Sequence, residues 1–170
     1  MVTYSYPSYR HPVFLLLGIL ALGFFFAGVL AGNLLHLAAC PLCILQRMLY
    51  LMLGLAALSA WVGARSAAAQ RCAALALTLV ALGGSYVAGY QSYIQRIPDT
   101  AGCTAGSPWW EELVYWAGEK VPALFLSSGL CTDPGFKLLG LSLAEYSLMA
   151  FAAMAALGLL VFFRSFKKNS

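Results

Sequence analysis

Two cysteines and an arginine are the residues of this chain whose types and spacing could do chemistry together. Cys40 and Cys43 form a Cys-x-x-Cys pair at the foot of an apolar segment, and Arg47 follows one helical turn later. Such a pair can exchange disulfides or bind a metal, and a nearby guanidinium stabilises a thiolate. Because residues four apart share one helix face, the spacing brings Arg47 beside Cys43. The segment therefore predicts electron transfer at a membrane surface.

Pro41 indicates how the cysteine pair is held. Proline is favoured at the first position of a helix, which would make Cys40 the N-cap and place Cys43 in the first turn. The unpaired N–H groups and the positive end of the helix dipole there favour an anionic sulfur. Two simpler interpretations remain open: Arg47 only extends to the interface, and the cysteines only staple a turn. The position of the arginine inside an apolar segment favours a functional site.

The composition indicates whether the chain folds in water or in a membrane. Of its 170 residues, 62% are hydrophobic and 9% are charged, and the mean hydropathy is +0.81. One soluble core of that size cannot bury so much apolar surface, so we predict an integral membrane protein. The predicted fold is an all-α bundle of four transmembrane helices in a single membrane domain covering residues 1–170. The predicted spans are each long enough to cross about 30 Å of hydrocarbon: residues 13–31, 44–62, 72–90 and 143–163.

The distribution of charge predicts the orientation. Cations near the ends of spans stay on the cytoplasmic side. They precede the first span, fill the link between the second and third spans, and close the chain: Arg10, Arg65, Arg71, Arg164, Lys167 and Lys168. The 6 acidic residues lie in the third connection or at its edge. Both termini are therefore predicted to be cytoplasmic, with loops 32–43 and 91–142 outside, and the net charge of +4 forms no basic stripe for nucleic acid.

This topology sorts the cysteines into two groups. Cys40, Cys43, Cys103 and Cys131 lie on the outer side, whereas Cys72 lies at the cytoplasmic end of the third span. Four cysteines in an oxidising space favour two disulfides, and Cys72 is interpreted as a small packing residue. Cys103 stands in a segment of small residues and glycines, which predicts a mobile and accessible loop.

The long outer connection contains one predicted helix. Ser107 and Pro108 are typical of an N-cap and a first helical position. Trp109 and Trp116, with a leucine between them, then fall on one face at helical spacing. We predict that residues 108–117 form a short amphipathic helix on the membrane surface, with its tryptophans at the level of the headgroups.

Other cysteine-based sites fit the spacing poorly. No histidine follows Cys43, as haem attachment requires, and His11 and His36 are too few and poorly placed to hold a haem. A four-cysteine zinc site needs a second close pair, so no metal site is predicted. Residues 37–40 resemble a lipoprotein cleavage site, but polar residues interrupt the approach to it and another span follows at once.

Two parts of the chain carry a resemblance to a known family. Cys-Pro-Leu-Cys-Ile-Leu-Gln-Arg at 40–47 closely resembles the disulfide bond formation protein B (DsbB) family, quinone reductases of the bacterial inner membrane. The segments at 121–126, 128–131 and 139–142, which read VPALFL, SGLC and LGLS, are similar to the outer loop of that family. The resemblance covers nearly the whole chain.

The resemblance implies a relay of electrons. A reduced periplasmic thiol oxidoreductase of the DsbA type would attack a Cys103–Cys131 disulfide at Cys103, and exchange with the Cys40–Cys43 pair would follow. Cys43 would then pass electrons to a bound quinone, ubiquinone or menaquinone, beside Arg47. Because DsbA is strongly oxidising, its reoxidation needs a strong acceptor such as a quinone.

The sequence departs from some members of the family just after the third span. They carry a basic residue near the quinone, whereas this chain offers Gln91 and Gln95 as candidate contacts, with Arg96 as a further candidate. Two other functions remain as alternatives. One is a quinone reductase like vitamin K epoxide reductase, in which the cysteine motif lies near the end of a later span. The other is a non-catalytic membrane adaptor whose disulfides only shape its outer loop.

Overall fold

Four long helices form most of the chain that the structure describes. The structure is a computed structural model, and it describes residues 12–97 and 108–167. Within these residues, four helices are long and apolar enough to cross a membrane, which confirms the predicted fold class. The elements in chain order are α1 (Pro12–Leu34), α2 (Pro41–Gly63), α3 (Ala67–Arg96), α4 (Trp109–Lys120), α5 (Pro122–Phe125), β1 (Lys137–Leu138), β2 (Leu141–Ser142) and α6 (Leu143–Lys167).

The helix that contains the third predicted span extends beyond that span at both ends. α3 begins several residues before the apolar run, because the Ser66 side chain accepts a backbone N–H of the first turn at 3.1 Å. It continues past residue 90 until Ile97, which precedes a proline and is therefore biased away from helical geometry. Gln91 and Gln95 thus lie in the last turns of α3, in a helix that continues beyond the predicted end of the third span.

The helix predicted in the third connection is present as α4, with different ends. Pro108 is its N-cap, without a side-chain cap, and not its first helical residue, and the helix continues to Lys120. Ser107, the predicted cap, lies outside the described residues. Trp109 and Trp116 are 77% and 58% exposed, so the protein leaves the predicted apolar face uncovered.

Small residues allow the long helices to approach closely. A Cβ on Gly18 of α1 would lie 2.6 Å from Cδ2 of Leu58 in α2. Gly84 of α3 meets α6 in the same way, because a Cβ there would lie 2.5 Å from the ring of Phe151, which is fully buried. Close packing of this kind stabilises helix pairs in a membrane and fixes the positions of their polar residues.

The ends of α3 and α6 are joined where the long connection returns to the bundle. Ser142 and Glu145 form a capping box, in which Ser142 N donates to Glu145 Oε2 at 2.8 Å and Glu145 N donates to Ser142 Oγ at 3.4 Å. Arg96 forms an ion pair with the same carboxylate. The short antiparallel hairpin of β1 and β2, which was not predicted, leads directly into this cap. We call this end of the bundle, with residues 35–40 and 108–142, the loop end.

Candidate functional site

Cys40 and Cys43 lie at the start of α2, in the arrangement that Pro41 predicts. Cys40 is the N-cap, and its Sγ accepts the N–H of Cys43 at 3.3 Å. The thiol of Cys40 lies 3.1 Å from Sγ of Cys43. Cys40 is buried and Cys43 is half-buried, so the second sulfur is the more accessible of the two. The pair is present as neighbouring thiols on the first turn of a helix.

Gln91 of α3 contacts both sulfurs, and Gln46 of α2 orients it. Gln91 donates through Nε2 to Sγ of Cys43 at 3.0 Å and to Sγ of Cys40 at 3.3 Å. Gln46 of α2 donates through Nε2 to Oε1 of Gln91 at 2.7 Å, which fixes the direction in which the Gln91 amide points. Both glutamines are buried, at 1% and 5% exposure for Gln91 and Gln46. Gln91 is among the predicted quinone contacts but Gln46 is not, although an amide inside an apolar span is a usable signal.

Arg47 is fixed between α1 and α5 and does not extend into water. Its Nη2 donates to the carbonyl oxygen of Gly28 at 2.8 Å, and its Nη1 donates to that of Leu124 at 3.3 Å. A Cβ on Gly32 would lie only 2.9 Å from Nη2, so the glycine provides the space that the guanidinium occupies. Among the described residues, no carboxylate forms an ion pair with Arg47. Its charge therefore remains available to an anionic sulfur or to a polar ligand.

A cavity of about 340 Å³ opens beside these residues at the loop end. Cys43, Arg47, Gln91 and Gln95 supply polar groups to its wall, and Phe24 is among the apolar residues that line the rest. An apolar cavity with a few convergent polar groups is typical of a site for a small organic ligand. Oε1 of Gln95 is buried and has no hydrogen-bond partner within the described part of the chain, so it is free to accept from a ligand. The cavity brings together Arg47, Gln91 and Gln95, whereas the further candidate Arg96 is not part of its wall and pairs with Glu145.

Cys131 reaches the pair from the long connection. It packs against a buried cluster of Cys40, Leu42 and Ile94, with Trp110 beside it. The backbone just before Cys131 is hydrogen-bonded to the segment that precedes α2, because the N–H groups of Ser128 and Gly129 both donate to the carbonyl oxygen of Ala39. Three of the four predicted site cysteines are thus brought together.

The proximity of Cys40 and Cys131 shifts the pKa values of the two thiols in opposite directions. The Cys40 thiol donates to Cys131, and this hydrogen bond, supported by the backbone N–H of Leu42, lowers the pKa of Cys131. The same contact raises the pKa of Cys40, and the neighbouring sulfur of Cys43 adds to that effect. Cys131 is therefore the better nucleophile of the two, since the thiolate is the reactive form.

Cys72 stands apart from this cluster. Cys72 is exposed on α3 and lies near the opposite end of that helix from Gln91, so the interpretation of Cys72 as a packing residue is wrong. It has no described contact with the site. Cys103 lies outside the described residues, and its predicted pairing with Cys131 stays a prediction.

The fold and the site define a class: a multi-pass membrane protein with clustered thiols at one end of a four-helix bundle. Comparison with known proteins makes the assignment specific. The family model for disulfide bond formation protein DsbB matches residues 10–161, so the chain belongs to the DsbB family. Its membership makes it an oxidoreductase involved in forming disulfide bonds in the membrane.

Named relatives agree over most of their length. A disulfide bond formation protein B of Dechloromonas aromatica (strain RCB) is 40% identical over 153 residues, which cover 89% of this chain and 91% of that protein. A disulfide bond formation protein B 1 of Pseudomonas syringae pv. syringae (strain B728a) is 37% identical, with 84% and 83% covered. One from Azoarcus sp. (strain BH72) is 31% identical, with 92% and 95% covered.

Proposed function

We propose that this chain oxidises a periplasmic thiol oxidoreductase of the DsbA type and passes the electrons through two cysteine pairs to a membrane quinone. The observation that carries the proposal is the contact of Cys131 with Cys40 beside a cavity lined by Cys43 and Arg47. Sγ of Cys131, from the long connection, thus lies against the cysteine pair of α2, next to a cavity with room for a quinone ring.

The exchange begins when a partner thiolate attacks Sγ of Cys103 in a Cys103–Cys131 disulfide. A mixed disulfide with the partner forms, and Cys131 leaves as a thiolate. Cys131 then attacks Cys40 in the Cys40–Cys43 disulfide, so that a Cys40–Cys131 bond forms and Cys43 leaves as a thiolate. The second thiol of the partner resolves the mixed disulfide, and the released Cys103 displaces Cys40 from Cys131. Two electrons and two protons have then moved from the partner to the pair on α2.

A quinone bound in the cavity would supply the acceptor for the two electrons and two protons that are released when the Cys40–Cys43 disulfide is restored. The residues fit such a molecule, because Arg47 has N–H groups besides the two that bind backbone carbonyls, and these can donate to a quinone oxygen. The buried Oε1 of Gln95 suits a hydroxyl group of the reduced form. Gln91 donates a hydrogen bond to the sulfur of Cys43, and the charge of Arg47 stabilises the Cys43 thiolate. Both ubiquinone and menaquinone meet these requirements.

We place the chain in the bacterial inner membrane as one membrane domain, with both termini cytoplasmic and the loop end periplasmic. The cations of the link between α2 and α3 and of the C-terminal region support this orientation, because such residues stay on the cytoplasmic side. The exposed Trp109 and Trp116 of α4 suit a helix that lies at the headgroups of the outer leaflet.

The two alternatives explain less of the site. In a vitamin K epoxide reductase-like enzyme the pair lies near the end of a later span, whereas here it begins α2. A non-catalytic adaptor has no need of a half-buried arginine and two buried glutamines around a thiol pair, since placing such polar groups inside a membrane protein costs free energy.

The test mixes the purified protein with a quinone analogue and a reduced DsbA-type protein. We expect one partner disulfide to form for each quinone reduced. Cys72→Ser is the matched control and should turn over at the wild-type rate, whereas Cys103→Ser should oxidise only a small dithiol. Absence of turnover in the wild-type protein would favour the adaptor.

A further inference from the structure

The segment that carries Cys131 crosses the segment that precedes α2, and two backbone hydrogen bonds join them at the crossing. Ser128 N and Gly129 N donate to the carbonyl oxygen of Ala39 at 2.9 Å and 3.0 Å. This oxygen is free to accept both, because the first carbonyl used within α2 is that of Cys40, which accepts from Ile44 N. We call these two hydrogen bonds the Ala39 clamp.

Gly129 is required at this crossing for space and not for its backbone angles. A Cβ at Gly129 would lie 2.1 Å from the carbonyl oxygen and 2.8 Å from the carbonyl carbon of Ala38. Its φ is not positive, unlike those of Gly135 and Gly140, which are 55° and 84°. The atoms in the way are backbone atoms, which cannot move aside as the end of a side chain can. Any other residue would therefore push the two segments apart.

The clamp lies next to both sulfurs of the exchange. Ala39 directly precedes Cys40, and Gly129 stands two residues before Cys131. We infer that Gly129 is a positioning residue that seats Cys131 on Cys40 for exchange between the two cysteine pairs. This inference rests on the proposed function. It adds the residue that positions Cys131 for its attack on Cys40, which is the middle step of the proposed relay.

The clamp matters most when Cys103 is bonded to the partner. The Cys131 thiolate then has two targets: Cys103 in the mixed disulfide, which returns the electrons to the partner, and Cys40, which moves them forward. A tether that holds a nucleophile at one target raises its effective concentration there. With the clamp intact, the forward target is the one in contact with Cys131.

The direct test is Gly129→Ala. To reach an ordinary contact, the added Cβ must move by about 1 Å, and a displacement of that size can cost about 100-fold in rate. We expect oxidation of a reduced DsbA-type partner to fall by about 10- to 100-fold. Quinone reduction by a small dithiol, which needs only Cys40 and Cys43, should stay within about twofold of wild type. Ser127→Ala, in the same loop and outside the clamp, is the matched control and should change neither rate.

A second measurement does not depend on the partner or the quinone. In a Cys43→Ser, Cys103→Ser background, diamide takes up two electrons and two protons as Cys40 and Cys131 form a disulfide. Adding Gly129→Ala should slow this cross-link by a similar factor. If the partner assay failed in every variant while the cross-link still depended on Gly129, the clamp would stand and the proposed function would not.

Ser128→Pro tests the clamp at its other hydrogen bond. It removes the Ser128 N–H and places the ring Cδ against the carbonyl oxygen of Ala39, so we expect a loss of cross-linking at least as large as with Gly129→Ala. Wild-type cross-linking rates in both variants would overturn the inference. So would an equal loss of partner oxidation and of dithiol-driven quinone reduction in both variants, because that result would mean a general loss of structure.

Discussion

Arg47 allows the chemistry at the cavity to be tested by replacement. Its guanidinium lines the cavity with Cys43, and we expect Arg47→Ala to weaken the use of quinone. A hydrogen bond from a charged donor is worth about 1.5 to 3 kcal/mol, or about 10- to 150-fold in an equilibrium constant or a rate. The loss should appear in the apparent KM for a quinone analogue and in slower alkylation of Cys43 at a fixed pH. Arg47→Lys keeps the charge but loses the planar fork, so it should restore activity only in part.

The structure adds a complication to this variant. Arg47 also binds the carbonyl oxygens of Gly28 and Leu124, so its removal loosens the contacts of α2 with α1 and α5. A gentler change moves the guanidinium without deleting it. In Gly32→Ala the new Cβ would lie 2.9 Å from Nη2 and should displace it, whereas in Gly23→Ala, on the same helix, the Cβ meets nothing within 4 Å.

The expected order of apparent KM for quinone is wild type and Gly23→Ala lowest, Gly32→Ala intermediate and Arg47→Ala highest. Thermal unfolding of each variant in detergent separates this effect from a loss of stability. The reasoning is refuted if Arg47→Ala retains both the wild-type KM and the wild-type alkylation rate of Cys43. Arg47 would then be an interfacial anchor only.

Further predictions concern the other residues of the site and the orientation of the chain. Cys131→Ser should abolish oxidation of the protein partner and leave dithiol-driven quinone reduction partly intact; a wild-type rate with the partner would contradict the relay. In the reduced protein the lowered pKa of Cys131 should keep its alkylation fast below the pH range of an ordinary thiol. Cys40→Ala removes the thiol that donates to Cys131, so the pH of half-maximal alkylation of Cys131 should rise. Mass spectrometry of the peptide that contains Cys131 measures this pH. Gln46→Leu should release the Gln91 amide from its fixed orientation and lower the rate of quinone reduction by about 2- to 10-fold, the loss of one neutral hydrogen bond, whereas unchanged kinetics would assign Gln46 to packing. Reporter fusions at the C-terminus should be active in the cytoplasm, and an external C-terminus would remove the basis for a periplasmic loop end.

The local features of the site could be predicted because they depend on neighbouring residues. Apolar length alone predicted four spans, and the structure has four helices that can cross a membrane. Pro41 predicted the first turn of α2, with Cys40 as its cap, because the fixed φ of proline suits a helix and its missing N–H would have no partner at that position anyway. The ends of α3 were predicted less well, since its polar last turns resemble a loop in composition although they continue the helix.

The contacts that make the site depend on residues far apart in the chain. Gln46 meets Gln91 across 45 positions, and Arg47 meets Leu124 across 77. No periodicity specifies such pairs, because they follow from the packing of α3 and α5 against α2.

By itself, then, the sequence determined a membrane bundle with a capped thiol pair at the start of α2, because span length and helix capping are local properties. The tertiary structure decided that Cys131 lies on Cys40 and that Gly129 crosses Ala38 without room for a side chain. These contacts join segments about 90 residues apart. Only the folded bundle, which brings both segments to the loop end, makes up for the entropy lost in closing that long loop.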